Sequence, residues 1–388
     1  MNSLNIAVIG IGNMGHFHAK AIYEKQVDGL RLTAVCDNDP AVLNAAKAEF
    51  SGVDCYLDYR QLLQSQKVQA VIIATPHYLH PVIACAAFQS GLHVLTEKPA
   101  GVRVSDAEEM NAAAKQSGKV FGIMWNQRTN KLFQKAREIL KTGQLGTPKR
   151  LVWIITNWYR TQGYYNSGSW RATWAGEGGG VLLNQAPHNL DLWQWIFGMP
   201  QSIYASCDVG KYHQIEVEDD VTLLAKYQNG ATATFITSTG EYPGTNRLEI
   251  SGSLGKMVLE NGTLTLTKTA EDEREFCNSR QASPKIPVAT TVFKDEPGKE
   301  PHLQILEDFA KAVLTGSPLL APGEQGVLEL TLSNAAYLSA WTGKPVALPL
   351  NNAEFNAHLA KRVAHSSKKQ SADPNVYSGD LTRWQVKW

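Results

Sequence analysis

The stretch LNIAVIGIGNMG, residues 4–15, decides the fold of the first part of the chain. Its first six residues form an apolar run that is typical of a buried parallel strand. Three glycines follow at GxGxxG spacing: Gly10 permits a tight turn, Gly12 lets the backbone approach a pyrophosphate, and Gly15 lets the next helix pack on the strand. The N–H groups that open this helix are expected to face the phosphates. The cofactor-binding residues predicted here are Gly10, Gly12, Asn13, Met14 and Gly15.

An acidic residue follows the second strand, where a nicotinamide dinucleotide needs one. The run LTAVC, residues 32–36, leads to Asp37, and a carboxylate about 20 residues beyond the glycines binds the ribose hydroxyls. Position 38 is Asn, and the neighbouring sequence has no arginine to bind a 2′-phosphate, so NAD is favoured over NADP. The alternative is that Asp37 only caps the turn before Pro40.

Apolar runs and helical segments keep alternating as far as residue 125. Further strands are predicted at residues 68–75, 93–99 and 119–125, and a capping box at Ser105–Glu108 opens one of the helices. The alternation predicts an α/β Rossmann fold, a doubly wound parallel sheet with helices on both faces. Such sheets bind ligands at the carboxyl ends of their strands. The cofactor-binding residues predicted there are Thr75, Pro76, His77, His80, Glu97, Lys98 and Asn126.

Strands joined by short turns replace this alternation after a helix at about residues 130–142. Six strand-like runs lie between residues 149 and 268, and Gln228-Asn229-Gly230 joins two of them as a hairpin turn. Two amphipathic helices are predicted at residues 302–315 and 324–342. This pattern predicts an α+β domain in which a largely antiparallel sheet has one open face and one face covered by helices.

The chain is therefore divided into three parts. Residues 1–125 form a NAD-binding Rossmann domain, residues 126–350 an α+β substrate and oligomerisation domain, and residues 351–388 a C-terminal tail. The tail is polar and basic but ends with Trp384 and Trp388. Because exposed tryptophans are costly, the tail either docks on the body or on a neighbouring subunit, or it is a loose terminus.

The composition excludes several classes of protein. A net charge of +1 over 388 residues gives no basic surface for nucleic acid or membranes, and no apolar run is long enough for a membrane span. The N-terminus has no signal-peptide pattern. The five cysteines have no CxxC spacing, which indicates reduced thiols in a cytoplasmic protein and no structural metal site.

The stretch GEGGGVLLNQAPHNLDLWQW, residues 176–195, has features that a purely structural helix would avoid. Asn184 and His188 are four residues apart, so a continuous helix would place both side chains on one face. We expect the preceding glycines to let the backbone pass close to cofactor or substrate. Pro187 is tolerated if the helix begins about one turn earlier, but a longer helix would be kinked there and the Asn184–His188 spacing would change.

Aromatic residues crowd residues 151–174. Aromatic faces stack on the C–H faces of sugar rings, and a loop rich in Gly, Ser and Asn at residues 164–171 is expected to reach over a substrate pocket. Trp153, inside a strand, is better explained as a core residue. No compact arginine cluster demands a phosphorylated or nucleotide-linked sugar, so a neutral sugar is preferred. The predicted substrate-binding residues are Asn184, Arg128, Trp158, Tyr164 and Tyr165.

Several of these motifs together resemble the glucose–fructose oxidoreductase/inositol dehydrogenase/rhizopine-catabolism (Gfo/Idh/MocA) family. They are GIGNMG, Asp37, ATPHYLH, EKPAG after the fourth strand, and a glycine-rich entry to a helix with a polar residue four positions before a histidine. The resemblance extends to about residue 350. It implies a Rossmann domain followed by an α+β domain with an open-faced sheet, NAD(P)-dependent action on sugars or cyclitols, and homodimers or homotetramers formed through the open sheet.

The resemblance also implies roles for individual residues. Lys98 takes the place of the catalytic lysine of the Glu-Lys-Pro motif, and His188 that of the histidine that exchanges a proton with the reacting hydroxyl. Asn184 stands where many members carry aspartate, and an amide can hydrogen-bond a hydroxyl but cannot accept its proton. Trp170 and Arg171 fall in a segment that lies near the nicotinamide in relatives, which implies a cofactor-binding role.

The leading hypothesis is NAD-dependent oxidation of a secondary hydroxyl of a carbohydrate. The stretch at residues 170–195 is similar to a subgroup that oxidises the 3-hydroxyl of glucosides to 3-keto sugars, which favours that substrate. One alternative is an inositol dehydrogenase or a keto-sugar reductase. Another is a glycosidase or lyase that recycles tightly bound NAD through a 3-keto intermediate. A non-catalytic sensor would be expected to lack Lys98 or His188, and both are present.

Overall fold

The computed structural model describes residues 3–278 and 285–367, which form two compact units. The first unit contains the described residues up to Thr129, together with Gly176–Gly178 and Gly298–Leu330, and the second unit contains the rest. Residues 298–330, which follow all but the last strand of the second unit in sequence, therefore belong to the first unit. Trp384 and Trp388 lie outside the described residues.

The described part of the first unit contains a parallel sheet, as the alternating pattern predicted, but it has six strands where five were predicted. Its strand order is β3-β2-β1-β4-β5-β6, so the order reverses between β1 and β4, where sheets of this kind bind ligands. The strands are β1 Leu4–Ile9, β2 Leu30–Cys36, β3 Asp54–Tyr56, β4 Ala70–Ile73, β5 His93–Thr96 and β6 Phe121–Ile123. Their side chains are largely buried because helices cover both faces.

A second, nine-stranded sheet is built by the described residues of the second unit. Its order is β14-β13-β12-β11-β7-β10-β9-β8-β15, and every neighbouring pair is antiparallel except β7 and β10. The strands are β7 Pro148–Ile155, β8 Ser202–Val209, β9 Glu218–Lys226, β10 Thr232–Ser238, β11 Asn246–Gly252, β12 Gly255–Glu260, β13 Thr263–Thr269, β14 Val288–Lys294 and β15 Val346–Ala347. The predicted α/β plus α+β fold is confirmed, and the predicted hairpin at Gly230 joins β9 to β10.

One face of this sheet is buried and the other is open, which explains its alternating sequences. In β9, Val221 and Leu223 are buried while Thr222 and Leu224 are exposed. Tyr204 in β8 is also exposed on its strand. A half-covered antiparallel sheet produces this period of two.

Helices are present where the sequence predicted them at about residues 130–142, 302–315 and 324–342, but residues 164–166 of the predicted loop are helical. In chain order the helices of the described residues are α1 Asn13–Tyr23, α2 Pro40–Glu49, α3 Tyr59–Gln64, α4 Leu79–Gln89, α5 Val104–Ser117, α6 Lys131–Lys141, α7 Gln162–Asn166, α8 Val181–Asn184, α9 Pro187–Phe197, α10 Glu273–Phe276, α11 Pro301–Thr315, α12 Gly326–Thr342 and α13 Asn352–Ala364. The predicted capping box is wrong: α5 begins at Val104, so Ser105 lies inside its first turn and does not cap it. None of the described helices combines the length and apolarity needed to cross a membrane.

The described start of the C-terminal tail docks on the second unit. The ring of Trp341 stacks on Phe355, with 5.5 Å between centroids, and the guanidinium of Arg362 lies 3.9 Å from the Trp341 ring centroid. Glu216 then accepts hydrogen bonds from the backbone N–H of Ser367, at 2.7 Å, and from its hydroxyl. For residues 352–367, docking is therefore the correct alternative.

Candidate active site

The three glycines of the first turn meet different surroundings. Gly10 has a φ of +87°, and a Cβ there would lie 2.7 Å from the carbonyl oxygen of Ala74. A Cβ on Gly15 would lie 1.7 Å from the carbonyl oxygen of Gly10, so this glycine allows α1 to pack closely. A Cβ on Gly12 would meet no atom within 4 Å. Open space therefore lies over Gly12.

The N-terminus of α1 fits a pyrophosphate. Gly12, Asn13 and Met14 are exposed, no side chain caps the helix, and its first turn contains no acidic residue. The first N–H groups of a helix have no partner within the helix, and they attract anions together with the helix dipole. These residues would hold the phosphates of a dinucleotide through their backbone.

Asp37 is held against this turn by backbone hydrogen bonds. Its Oδ2 accepts from the N–H of Ile11 at 2.7 Å, and its Oδ1 accepts from the N–H of Asp39 at 2.9 Å. The next helix, α2, is capped by Asp39, whose side chain accepts from Ala41, and not by Asp37. A carboxylate oxygen can accept more than one hydrogen bond, so the half-exposed Asp37 fits a ribose diol.

At the end of β5, the buried Glu97 is part of a charged network. Burial by itself would raise the pKa of Glu97, but the contact of Oε1 with His18 Nε2 at 2.8 Å and nearby positive charges, including Lys98, lower it to about 2. Glu97 Oε2 also accepts from the backbone N–H of Lys98 at 3.2 Å. An ionised Glu97 thus fixes the backbone of Lys98, whose side chain is half-buried.

Two histidines that were predicted to bind cofactor have ring nitrogens within hydrogen-bond distance of backbone carbonyl oxygens. His80 is buried, with Nδ1 2.8 Å from the carbonyl oxygen of Pro99 and Nε2 2.6 Å from that of Thr75. His77 is buried as well, and its Nδ1 lies 3.0 Å from the carbonyl oxygen of Glu177. The ring of His80 therefore ties the strand-end loops together and has no ring nitrogen left for a ligand, contrary to the prediction for it.

Arg128 and Asn126 also turn inward within the first unit. Arg128 is fully buried, and its Nη1 donates to the carbonyl oxygen of Leu320 at 3.2 Å and to Oε1 of Gln325 at 2.6 Å. These contacts give Arg128 a structural role and do not support the predicted substrate contact. Asn126 Nδ2 lies 3.0 Å from Nε2 of His302, and Asn126 is likewise buried.

In the second unit, the predicted single helix with Asn184 and His188 on one face is wrong. Asn184 is the last residue of α8, and Pro187 is the first residue of α9. The chain breaks at Gln185 and Ala186 because a proline inside a helix would lose a hydrogen bond and clash. Pro187 is tolerated because it is the first residue of α9, and not because a helix begins about one turn before it, which was the condition predicted from the sequence.

Asn184 and His188 are nevertheless set apart from their neighbours. Within the described run from Gly179 to Ile196, they are the only residues that are not buried. The other polar side chains of this run are buried, namely Gln185, Asn189, Asp191 and Gln194. A polar side chain that reaches the surface can contact a ligand. Asn184 and His188 can therefore be assigned to one site because both reach the surface, and not because they share a helix face.

The glycines before Asn184 are explained by packing within the protein. A Cβ on Gly180 would lie 1.9 Å from the carbonyl oxygen of Glu218, and one on Gly179 would lie 2.2 Å from the hydroxyl of Tyr337. A Cβ on Gly178 would lie 2.5 Å from the side chain of Val102. Contacts within the protein therefore explain these glycines without the cofactor or substrate that was expected beside them.

The hydroxyl of Tyr164 is the centre of a polar cluster around Asn184. It donates to Asn184 Oδ1 at 3.3 Å, and it accepts from Arg171 Nη1 at 2.7 Å and from Gln185 Nε2 at 3.1 Å. The guanidinium of Arg171 also lies 4.6 Å from the ring centroid of Trp170. This cluster joins four predicted site residues in one unit, although sequence reasoning did not include Gln185.

Two other aromatic residues predicted to bind substrate belong to the core. Tyr165 is buried, its hydroxyl lies 2.7 Å from Oγ1 of Thr239, and its ring contacts that of His213. Trp158 is buried too, as is Trp153, which was correctly predicted as a core residue. Aromatic residues serve cores and sugar sites equally well, so composition alone did not separate Tyr164 from Tyr165.

The fold and the glycine turn define an NAD-binding oxidoreductase. Residues 4–124 match the model of the oxidoreductase family with the NAD-binding Rossmann fold, Gfo/Idh/MocA, and residues 133–258 match a C-terminal domain of the same family. The two matches together cover more than half of the chain. The chain belongs to the Gfo/Idh/MocA family, as its motifs predicted.

Similar proteins act on several carbohydrates. The chain is 25% identical to myo-inositol 2-dehydrogenase of Thermotoga maritima, over 89% of this chain and 98% of that protein. It is 23% identical to D-glucoside 3-dehydrogenase of Escherichia coli, over 89% of this chain and 97% of that protein. A solved structure of the WlbA dehydrogenase from Bordetella pertussis, in complex with NADH and UDP-GlcNAcA, is 25% identical with a TM-score of 0.76 and covers 90% of this chain and 100% of that one.

Proposed function

We propose that this protein is an NAD-dependent sugar dehydrogenase that oxidises the C3 hydroxyl of a glucoside or related hexopyranoside to the 3-keto sugar. The observation that carries the proposal is the selective exposure of Asn184 and His188 beside the Tyr164–Arg171 cluster, in a chain that belongs to a family of oxidoreductases. The likeness to D-glucoside 3-dehydrogenase supports the position of oxidation.

The proposed roles follow from the chemistry of each side chain. The turn from Gly10 to Gly15 and the carboxylate of Asp37 would hold NAD, which would supply the hydride acceptor for oxidation of the carbinol carbon. His188 removes the hydroxyl proton, because an ordinary imidazole has a pKa near about 6.5 and suits a general base. Lys98 stabilises the negative charge that develops on the oxygen. Asn184 hydrogen-bonds a sugar hydroxyl and takes no proton.

Substitution of the two catalytic candidates tests these roles. We expect Lys98→Ala and His188→Ala each to lower kcat by about 100-fold or more, the usual contribution of a charge-stabilising or acid–base group. Lys115→Ala and His365→Ala are the matched controls, one in each unit, and should keep wild-type turnover. Turnover within a few-fold of wild type in either test variant would refute that residue's role.

A substrate screen tests the reaction itself. Methyl glucosides, free hexoses, myo-inositol and a UDP-linked sugar are each incubated with NAD or NADP, while absorbance of reduced cofactor is followed and the product carbonyl is located by NMR. We expect NADH and a 3-keto product from glucosides, and a lower rate with NADP because Asp37 faces a 2′-phosphate. Oxidation of myo-inositol alone points to a cyclitol enzyme. Cleavage of a glucoside without net NADH points to a lyase that recycles its cofactor.

We also propose that the enzyme is a cytoplasmic homodimer or homotetramer that assembles through the open face of the second sheet. Tyr204 and Leu224 expose about half of their surface on that sheet, at 47% and 52%. Covering such residues is favourable at roughly 25 cal/mol per Å² of apolar surface. Light scattering of wild type and of Tyr204→Lys/Leu224→Lys tests this assembly: a monomeric wild type refutes it, and dissociation of the double variant supports it.

A further inference from the structure

A buried carboxylate, Glu218 at the start of β9, reaches the turn that leads to Asn184. Glu218 Oε2 accepts from the N–H of Gly180 at 2.9 Å, and Oε1 accepts from the N–H of Leu182 at 3.0 Å. The hydroxyl of Tyr337 donates to the same Oε1 at 2.7 Å. The side chain has no exposed surface.

These contacts replace a cap that the local sequence does not provide. Gly180 is the N-cap residue of α8 and has no side chain to accept from the free N–H groups of the first turn. Glu218 supplies that acceptor from a distant strand, and its negative charge lies at the favourable end of the helix dipole. Gly180 and Gly179 also pack closely on Glu218 and Tyr337, because a Cβ at either glycine would lie within 2.2 Å of those residues.

Backbone hydrogen bonds carry this restraint to the exposed pair. The carbonyl oxygen of Gly180 accepts from the N–H of Asn184 at 3.0 Å, and the carbonyl oxygen of Val181 accepts from the N–H of Ala186 at 2.8 Å. Ala186 is the N-cap residue of α9, the helix that carries His188. The positions of Asn184 and His188 therefore depend on the hydrogen bonds that Glu218 accepts.

We propose that Glu218 is a positioning residue, whose ionised carboxylate fixes the Gly180–Leu182 turn and so holds Asn184 and His188 in place for the reaction. The inference rests on the proposed function for the roles of those two residues. Protonation removes part of the acceptor capacity of a carboxylate that already serves three donors, so the turn is held less firmly when Glu218 is neutral.

The surroundings of Glu218 place its protonation near neutral pH. Burial raises the pKa of Glu218 from 4.5 to about 7, against the three donated hydrogen bonds, which lower it. The other titratable groups that face it are Tyr337 on α12 and Cys207 on β8, and burial raises the pKa of both well above their ordinary values, so they stay neutral. Glu218 is therefore ionised above about pH 7 and takes up a proton below it.

Glu218→Gln tests the proposal, because glutamine keeps the size of the side chain and removes the charge and the titration. We expect kcat to fall by about 10- to 100-fold, the equivalent of one charge-assisted hydrogen bond, while the Kd for NAD stays unchanged. Below about pH 7, kcat of the wild type should fall as Glu218 takes up a proton, and this part of the fall should be absent in the variant. Tyr337→Phe, which removes one donor only, should cause a smaller loss of kcat.

Glu216→Gln is the matched control. Glu216 also accepts several hydrogen bonds, but from Trp174 and Ser367, so its loss should affect the docked tail and leave the acid side of the pH profile unchanged. An unchanged kcat and pH profile in Glu218→Gln overturns the proposal. A fall in kcat that comes with an equal loss of NAD binding, or that Glu216→Gln reproduces, also overturns it.

Hydrogen exchange supplies a readout that needs no substrate. By mass spectrometry, the backbone amides of residues 180–186 should exchange about 10- to 100-fold faster in Glu218→Gln than in wild type, and at the wild-type rate in Glu216→Gln. Equal exchange in all three proteins refutes the positioning role whatever the substrate is. A wild type that oxidises no carbohydrate refutes only the proposed function. The positioning role of Glu218 is then still tested by the hydrogen-exchange experiment, which needs no substrate.

Discussion

The two glycine-rich segments, Gly10–Gly15 and Gly178–Gly180, differ in their surroundings at one decisive position, Gly12. In the first, Gly12 borders open space at the start of a helix, whose first N–H groups have no partner within the helix, as a binding site for phosphate requires. In the second, all three glycines touch protein atoms, including the backbone of Glu218. A glycine run beside a candidate catalytic residue therefore indicates that the backbone lies close to another group. The sequence does not tell whether that group is a ligand or a neighbouring strand, and the structure does.

The strongest test of this comparison is Gly180→Ala. Its Cβ would lie 1.9 Å from a backbone carbonyl oxygen that cannot rotate away, so we expect the free energy of unfolding to fall by about 3 kcal/mol, the upper end of the overpacking range. Urea denaturation followed by tryptophan fluorescence measures this loss. A variant with wild-type stability would contradict the packing explanation for this glycine.

Asp37→Ala tests the cofactor side of the first segment. Loss of a hydrogen-bonding carboxylate should weaken NAD binding by about 2 kcal/mol, roughly 30-fold, and reduce the preference for NAD over NADP. Calorimetric titration with both cofactors measures this change. Asp39→Ala, two residues away, removes only the cap of α2 and should cost about 1 kcal/mol of stability with NAD affinity unchanged. Equal effects of the two variants on NAD affinity would remove the ribose assignment.

The smallest effect is expected for Gly12→Ala. Gly12 has a φ of −70°, which alanine adopts readily, and a Cβ there meets nothing, so the free energy of unfolding should change by less than about 0.5 kcal/mol. A methyl group in the open space should still weaken NAD binding, by roughly 10-fold, about 1.4 kcal/mol. Thermal shift with and without NAD separates the two quantities. Unchanged NAD affinity would mean that the space over Gly12 is not where the cofactor lies.

The Rossmann unit was predictable because its information is local. Five of the six strands of the parallel sheet read as short apolar runs, and the position of Asp37 follows from the run before it. The strand β3 is short and not apolar, so the sequence did not reveal it. The missed capping box at Ser105 shows the limit of such signals, because a helix can begin two residues earlier when packing favours it.

The candidate site of the second unit was less predictable because its decisive contacts are distant in sequence. Pro187 is compatible both with a helix that starts late and with two helices, so the break before it could not be derived from spacing. The partner of Gly180, Glu218, lies 38 residues away on a strand, and nothing in the local pattern of either residue identifies the other. Tyr164 and Tyr165 differ only in which side of one turn they occupy, yet the first joins the Asn184 cluster and the second joins the core.

The contacts of Arg128 have a consequence for biosynthesis. Its partner Leu320 follows 192 residues later, and in the same unit Gly122 pairs with Pro322. At a synthesis rate of about 5–20 residues per second, some 10 to 40 seconds pass before these partners leave the ribosome. During that interval Arg128, which is fully buried in the folded unit, lacks the acceptors on Leu320 and Gln325. An N-terminal fragment that ends at residue 129 should therefore depend on chaperones, whereas one that ends beyond residue 330 should not need them for this unit.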